Sequence, residues 1–196
     1  GAEASTGSLG HGFPFAVVFL DSIVFDTSGV AAKLFSEKHQ LVTIDSIGVN
    51  GNAGISKRYL QNYLGIKPGD IYNESVISGV DKRLKELPFL EMKSATMVNF
   101  SGGEARVGLF LEKKKASKFD FLIGLVPNSE TTGKFSVTGE GELHLQNPFG
   151  AGTEIDLEFH KLHGNTKEFE IGFLYPYIPL LPIGAVSYTH LRAHET

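Results

Sequence analysis

The sequence predicts an α+β module running straight into antiparallel transmembrane β-barrel strands. Three observations predict it. Residues 40–115 read as β-α-α-β-β. Residues 134–175 write strict apolar–polar alternation three times over. No apolar run approaches the roughly 20 residues that a membrane helix requires.

The alternation is the strongest signal. Phe135, Val137, Leu143 and Leu145 alternate with Ser136, Thr138, Glu140, Glu142 and His144. Ile155, Leu157 and Phe159 alternate with Glu154, Asp156, Glu158 and His160. Phe169, Ile171, Phe173 and Tyr175 alternate with Glu168, Glu170 and Gly172. Neighbouring strand side chains point to opposite faces, so each segment has one apolar and one acidic face. Repeated in hairpin-connected strands of about 9–11 residues, this is the pattern of a barrel with lipid outside and water inside. It predicts Val137, Leu143, Leu145, Ile155, Leu157, Phe159, Phe169, Ile171 and Phe173 as lipid-facing. It predicts Glu140, Glu142, Glu154, Asp156, Glu158, Glu168 and Glu170 as lumen-facing.

Composition agrees without being diagnostic. Mean hydropathy is near neutral, because alternation cancels in an average. The chain has no cysteine, which removes disulfides and thiolate chemistry. A formal charge of −4 argues against a nucleic-acid partner. The first 12 residues, rich in Gly and Ser, read as an unstructured start. The chain begins at Gly1 with no signal peptide, which for an exported protein implies truncation or processing.

From the N-terminus, Ala16–Phe25 and Val30–Glu37 read as strands about a turn at residues 26–29. Gln40–Val49 is a third strand, stopped by Asn50-Gly51-Asn52. Ile55, Tyr59, Leu60, Tyr63 and Leu64 recur at helix spacing, with Gly65 as the C-terminal cap. Lys67-Pro68-Gly69-Asp70 is a turn. Asn73 is an N-cap, and Ile77, Val80, Leu84 and Leu87 line one face of a second helix ended by Pro88. Ile47, Val49, Leu60, Leu64, Ile77, Val80, Leu84 and Leu87 are the expected core. Strands Glu91–Phe100 and Glu104–Lys113 flank a hairpin at Ser101-Gly102-Gly103. Lys113-Lys114-Lys115 suits a phosphate or lipid-headgroup contact, but such a run is more often a solvated linker. Phe119–Val126 begins the barrel, and Pro127-Asn128-Ser129-Glu130 opens its first loop.

The module resembles a POTRA (polypeptide-transport-associated) domain. The resemblance rests on Ile44-Asp45-Ser46-Ile47, Val49-Asn50-Gly51-Asn52, Ile55-Ser56, Leu60, Leu64-Gly65-Ile66-Lys67-Pro68-Gly69-Asp70, Tyr72-Asn73, Leu84 and Leu87-Pro88-Phe89-Leu90. Gly12-Phe13-Pro14-Phe15-Ala16 looks like the segment after the second helix of a preceding POTRA, so residues 13–39 read as the two last strands of that cut domain. From residue 116 to residue 185 the chain resembles the first strands of a BamA/TamA-type bacterial surface antigen barrel, in a Bacteroidetes-like form. Asn147-Pro148-Phe149-Gly150-Ala151-Gly152 and Tyr175-Pro176-Tyr177 are its most telling turns. Four strands, with the start of a fifth, are expected. They should form an open meander, because a bacterial barrel closes with at least eight.

Residues 186–196, VSYTHLRAHET, read as foreign. Back-translated, they resemble an adapter used in transposon-based sequencing libraries, so His190 and His194 carry no metal expectation.

The resemblance implies an outer-membrane protein assembly and insertion factor with its POTRA region in the periplasm. Its partners would be unfolded outer-membrane proteins, outer-membrane lipid and periplasmic accessory lipoproteins or chaperones. Clients would add a strand to an exposed sheet edge. Glu91–Phe100 is the candidate edge, with Lys93, Ala95 and Met97 on one face. Two alternatives stay open: a secretion pore for one dedicated substrate, and a barrel anchor for an enzyme domain upstream of Gly1.

Other motifs weigh little. In His160-Lys161-Leu162-His163 the two histidines face opposite sides of a strand, which spoils shared metal ligation. Gly48, Gly51 and Gly54 lack dinucleotide-fingerprint spacing. Asn73-Glu74-Ser75 and Asn99-Phe100-Ser101 read as a helix cap and a strand end. There is no nucleophile–base constellation and no phosphate loop. No enzyme activity, cofactor or metal is expected.

Overall fold

A computed structural model describes residues 11–26, 29–127, 135–162, 166–178 and 183–194. Residues 1–10, the loop at Asn128-Ser129-Glu130, His163 and the last two residues of the tail lie outside them. The chain divides into two compact units, each described by itself. Among the described residues no helix is long and apolar enough to cross a membrane.

The first unit comprises residues up to Gly51 together with Tyr63–Glu86 and Met92–Leu111. It begins with an antiparallel hairpin of β1 (Val17–Asp26) and β2 (Gly29–Glu37). Register slips between Asp21 and Val24, where Ser22 adopts φ 52°, so β1 carries a bulge. Phe19 stacks on Phe35, with 5.8 Å between centroids. Every residue of β2 is exposed.

Next come β3 (Thr43–Asn50), α1 (Lys57–Leu64), α2 (Glu74–Ser78) and α3 (Val80–Lys85). They lead to β4 (Leu90–Met92), β5 (Met97–Ser101) and β6 (Glu104–Lys113). The sheet order is β3-β6-β4, with β5 also on β6. β3 runs parallel to β6, and β5 antiparallel to it. A parallel neighbour needs a crossover, and the helices supply it.

The expected core is buried with one exception. Ile47, Leu60, Leu64, Ile77, Val80, Leu84 and Leu87 are all buried, but Val49 is only half-buried. Val42, Ile44, Ala105, Val107, Leu109 and Leu111 join the core, the last four alternating along β6 as a half-buried strand requires. The single second helix breaks into α2 and α3 at Gly79, whose N–H bonds to the carbonyls of Val76 and Ile77. Glycine is among the poorest helix formers. Asn73 caps α2 as predicted, its Oδ1 accepting from the N–H of Ser75 at 3.0 Å. Gly12, read as unstructured, is tied in: its N–H donates to Tyr72 O at 2.7 Å and its carbonyl accepts from Val42 N at 2.8 Å.

The second unit comprises Asn52–Asn62, Leu87–Glu91 and the residues from Glu112 onward. It holds a five-stranded antiparallel meander, β7 (Lys118–Pro127), β8 (Phe135–Gln146), β9 (Glu154–Lys161), β10 (Thr166–Tyr175) and β11 (Ala185–His194), in sequence order. The fifth strand runs from Ala185 to His194. β11 takes in the segment read as foreign, pairing from Tyr175↔Ala185 to Thr166↔His194. The alternation of Val186, Tyr188 and His190 with Ser187 and Thr189 suits a strand, and an open edge accepts one.

Candidate functional site: an open sheet edge and a two-faced meander

In the first unit, the two edges of the POTRA-like sheet differ. The free side of β3 is covered at its N-terminal half. Ile44 N donates to Asp70 O at 2.8 Å, Gly69 N to Ile44 O at 2.8 Å and Tyr72 N to Val42 O at 3.0 Å. On the opposite side, β5 pairs with β6, and among the described residues no further strand lies beyond it.

The predicted edge Glu91–Phe100 is not one strand. It breaks between β4 and β5, and Lys93 and Ala95 lie in the break. Lys93 N still donates to Phe110 O at 2.9 Å, while Thr96 N turns aside to the Asp81 carboxylate at 3.1 Å. Of the three residues placed on one face, Met97 alone is in a strand, and it is exposed. Pairing sets Val98 opposite Val107 and Phe100 opposite Ala105, on the core side, so Met97 and Asn99 point the other way.

Beside β5 lies a crevice of about 420 Å³ lined by Pro14, Phe15, Tyr72, Asp81, Thr96 and Phe100, among others. Phe100 packs edge-on against Phe15, at 4.9 Å, and against Tyr72, at 5.2 Å. Burial first, and then a hydrogen bond to Glu74, push the Tyr72 phenol above its ordinary pKa. Asp45, bulged out of β3, meets Arg106 Nε at 2.5 Å, and that bond holds its carboxyl below the usual carboxylate range.

In the second unit, register divides the side chains. Leu143 faces Leu157, which faces Ile171. Leu145, Ile155 and Phe173 form the next row, and Phe159 and Phe169 pair in another. Val137 pairs with Leu125 on the same side. All nine apolar residues therefore share one face, joined by Phe119, Phe121 and Ile123 of β7. The seven acidic residues share the other.

One row of that acidic face runs Asp120, Glu142, Glu158, Glu170 and His190 across all five strands. Like charges directly opposite one another repel, so the row requires water over it. Partial relief comes from His190 Nδ1, 2.6 Å from Glu170, and Arg192 Nε, 3.1 Å from Glu168. His144 pairs with Asp156, and His160 lies 3.7 Å from Glu158. Among the described residues no group of His, Asp and Glu is placed to hold a metal ion.

A third feature is the turn after β8. Asn147 is buried with φ 53°. Its N–H donates to Thr153 O at 2.7 Å, and its Oδ1 accepts from Gly152 N at 2.8 Å. Its Nδ2 donates to Gly54 O at 3.3 Å, and Gly150 O accepts from Ser56 N at 2.7 Å. Tyr59 packs edge-on against Tyr177 at 5.6 Å. An asparagine followed by Pro148 and two glycines was the available sequence signal; its partner, 93 residues earlier, was not.

Residues 42–111 match the family model POTRA, surface antigen variable number repeat. A search of curated proteins finds no match. Among solved structures, BamA from Haemophilus ducreyi lacking POTRA domains 1–3 resembles the chain with a TM-score of 0.59 at 14% identity, over 91% of this chain and 33% of that one. CdiB from Acinetobacter baumannii gives 0.45 at 16% identity, over 84% and 30%. CdiB from Escherichia coli gives 0.43 at 14%, over 87% and 31%. The chain thus spans about a third of the length of these structures. The POTRA match is confined to residues 42–111, and over 91% of its length the chain shares the fold of the matching third of the BamA structure.

Proposed function

We propose that this POTRA-barrel chain is part of an outer-membrane protein assembly factor. Its POTRA domain receives unfolded outer-membrane proteins in the periplasm, and its barrel helps their strands into the bilayer. The observation that carries this reading is the contrast between the sheet's edges, one covered by residues 69–72 and the other left open at β5. An open edge presents unpaired backbone donors and acceptors. They bind an extended chain largely irrespective of its side chains, which suits a receptor for many clients.

In this reading the apolar face of β7–β10 meets lipid and the acidic face lines a wet lumen. The acidic row supports that orientation, since carboxylates facing one another are tolerable in water and prohibitive in hydrocarbon. The β1–β2 hairpin supports residues 13–39 as the last two strands of a preceding POTRA domain. The reading needs no nucleotide or cofactor. Accessory lipoproteins and periplasmic chaperones are further expected partners.

A photoreactive side chain at Asn99 should crosslink to an unfolded outer-membrane protein peptide, whereas one at Lys82 on α3 should not. Equal labelling at both positions would overturn the assignment of the edge.

A further inference from the structure

We infer that Lys113, Lys114, Lys115 and Lys118 form a collar that binds the anionic headgroups of the membrane leaflet facing the POTRA domain. The inference rests on the barrel reading of β7–β10. Between Glu112 and Asp120 the chain carries four lysines and no acid, and all four are exposed.

The run is held in place rather than dangling. Lys113 N donates to Asn52 O and Lys114 N to Phe89 O, each at 2.9 Å. Ser117 Oγ accepts from Gln146 N at 3.1 Å, tying the run to the end of β8. The next residue along β7 after Lys118 is Phe119, the first of its apolar face and 74% exposed. The lysines thus stand where hydrocarbon contact begins.

Aromatic residues gather at the same end of the sheet. The turn after β8 presents Phe149, 69% exposed, and β10 ends at Tyr175, with Tyr177 two residues beyond. Arg58 lines a small crevice with both tyrosines. Aromatic side chains sit at membrane–water interfaces, and lysine stems reach along apolar surface to place their ammonium groups among headgroups. A basic run beside such a level is attracted to anionic lipid, an attraction that salt screens.

The chain, diluted from urea, is floated with vesicles of phosphatidylcholine or of phosphatidylcholine with about a fifth phosphatidylglycerol. Flotation separates bound chain from aggregate. Phosphatidylglycerol should strengthen binding of the unaltered chain at low salt, and salt should reverse the gain. The triple variant Lys113→Gln, Lys114→Gln, Lys115→Gln should lose on the order of a hundredfold of that gain, while the corresponding triple arginine variant retains it. A glutamine variant that keeps the gain, or an arginine variant that loses it, would overturn the inference. So would abolition of binding by inorganic phosphate at constant ionic strength, which would mark a phosphate site. Protease protection read in parallel separates the two readings. Protection in neutral vesicles with no response to phosphatidylglycerol overturns the collar alone. No protection in either lipid overturns the barrel reading and the collar with it.

Discussion

Ile44 and Ile47 lie three residues apart in β3, yet both are buried, at 3% and 2% exposure. In an unbroken strand they would face opposite sides. The ladder pairs Ile44 with Ala105 and Ser46 with Arg106, leaving Asp45 unpaired between them. This bulge returns both isoleucines to the core and turns Asp45 outward to Arg106.

The bulge makes Asp45 titration a direct readout. Its folded pKa is depressed, chiefly by the Arg106 hydrogen bond. A depressed carboxylate contributes stability above its unfolded pKa, about 3.9, and loses it as pH falls through the folded value. Arg106→Gln should return the Asp45 carboxyl toward the ordinary range, as followed by NMR titration. An Asp45 pKa indifferent to Arg106→Gln would dissolve the pairing.

Leu84 tests the POTRA core. It is 1% exposed on α3, and Leu84→Ala should cost about 2–5 kcal/mol. Urea titration of the chain in detergent, followed by circular dichroism, would measure it. A loss below about 1 kcal/mol would mean that the site is not part of a packed core.

Legibility from sequence followed periodicity. The faces of β8, β9 and β10 could be read because alternation survives through whole strands. Leu60, Leu64, Val80 and Leu84 could be read because helix spacing repeats. What escaped was every place where one residue breaks a period. Asp45 shifts the phase of β3. Gly79 divides the second helix. Thr96 leaves the ladder for Asp81, which removes Lys93 and Ala95 from the edge strand. The Asn147–Gly54 bond escaped for another reason: contacts across long sequence separations leave no local pattern.

The turn after β8 should be intolerant of side chains. Gly150 has φ +70°, and a Cβ there would stand 2.9 Å from Gly54 O; Gly102 has φ +59°, with nothing within 4 Å. Both Gly→Ala variants incur left-handed strain, about 1–3 kcal/mol, but Gly150→Ala must also displace backbone. Thermal denaturation should rank Gly150→Ala below Gly102→Ala, and equal losses would refute the close approach of residue 54.

Proline at successive positions of β5 should give opposite results. Along an edge strand, alternate N–H groups point into the ladder and outward. Of Val98→Pro and Asn99→Pro, one should disrupt pairing with β6 and unfold the module. The other should leave it folded yet weaken capture of a client strand. Circular dichroism with peptide binding on both variants decides, and two folded variants with unchanged affinity would remove β5 from the client path.

The sidedness of the meander yields the sharpest contrast, because Leu157 and Glu158 are neighbours in β9 on opposite faces. Leu157 sits mid-row between Leu143 and Ile171, and Glu158 between Glu142 and Glu170. β7 and β11 are the meander's outer strands, so in water it should aggregate through its apolar face and free edges. Lipid removes the first liability by covering that face. A lysine on the lipid face near the bilayer midplane costs about 2–4 kcal/mol, whereas a lumen position tolerates it. Leu157→Lys should therefore abolish protease protection of the chain in phosphatidylcholine vesicles. Glu158→Lys should preserve it, and even relieve repulsion along the acidic row. The reverse order would place lipid against the acids, and equal protection would mean that neither face meets lipid.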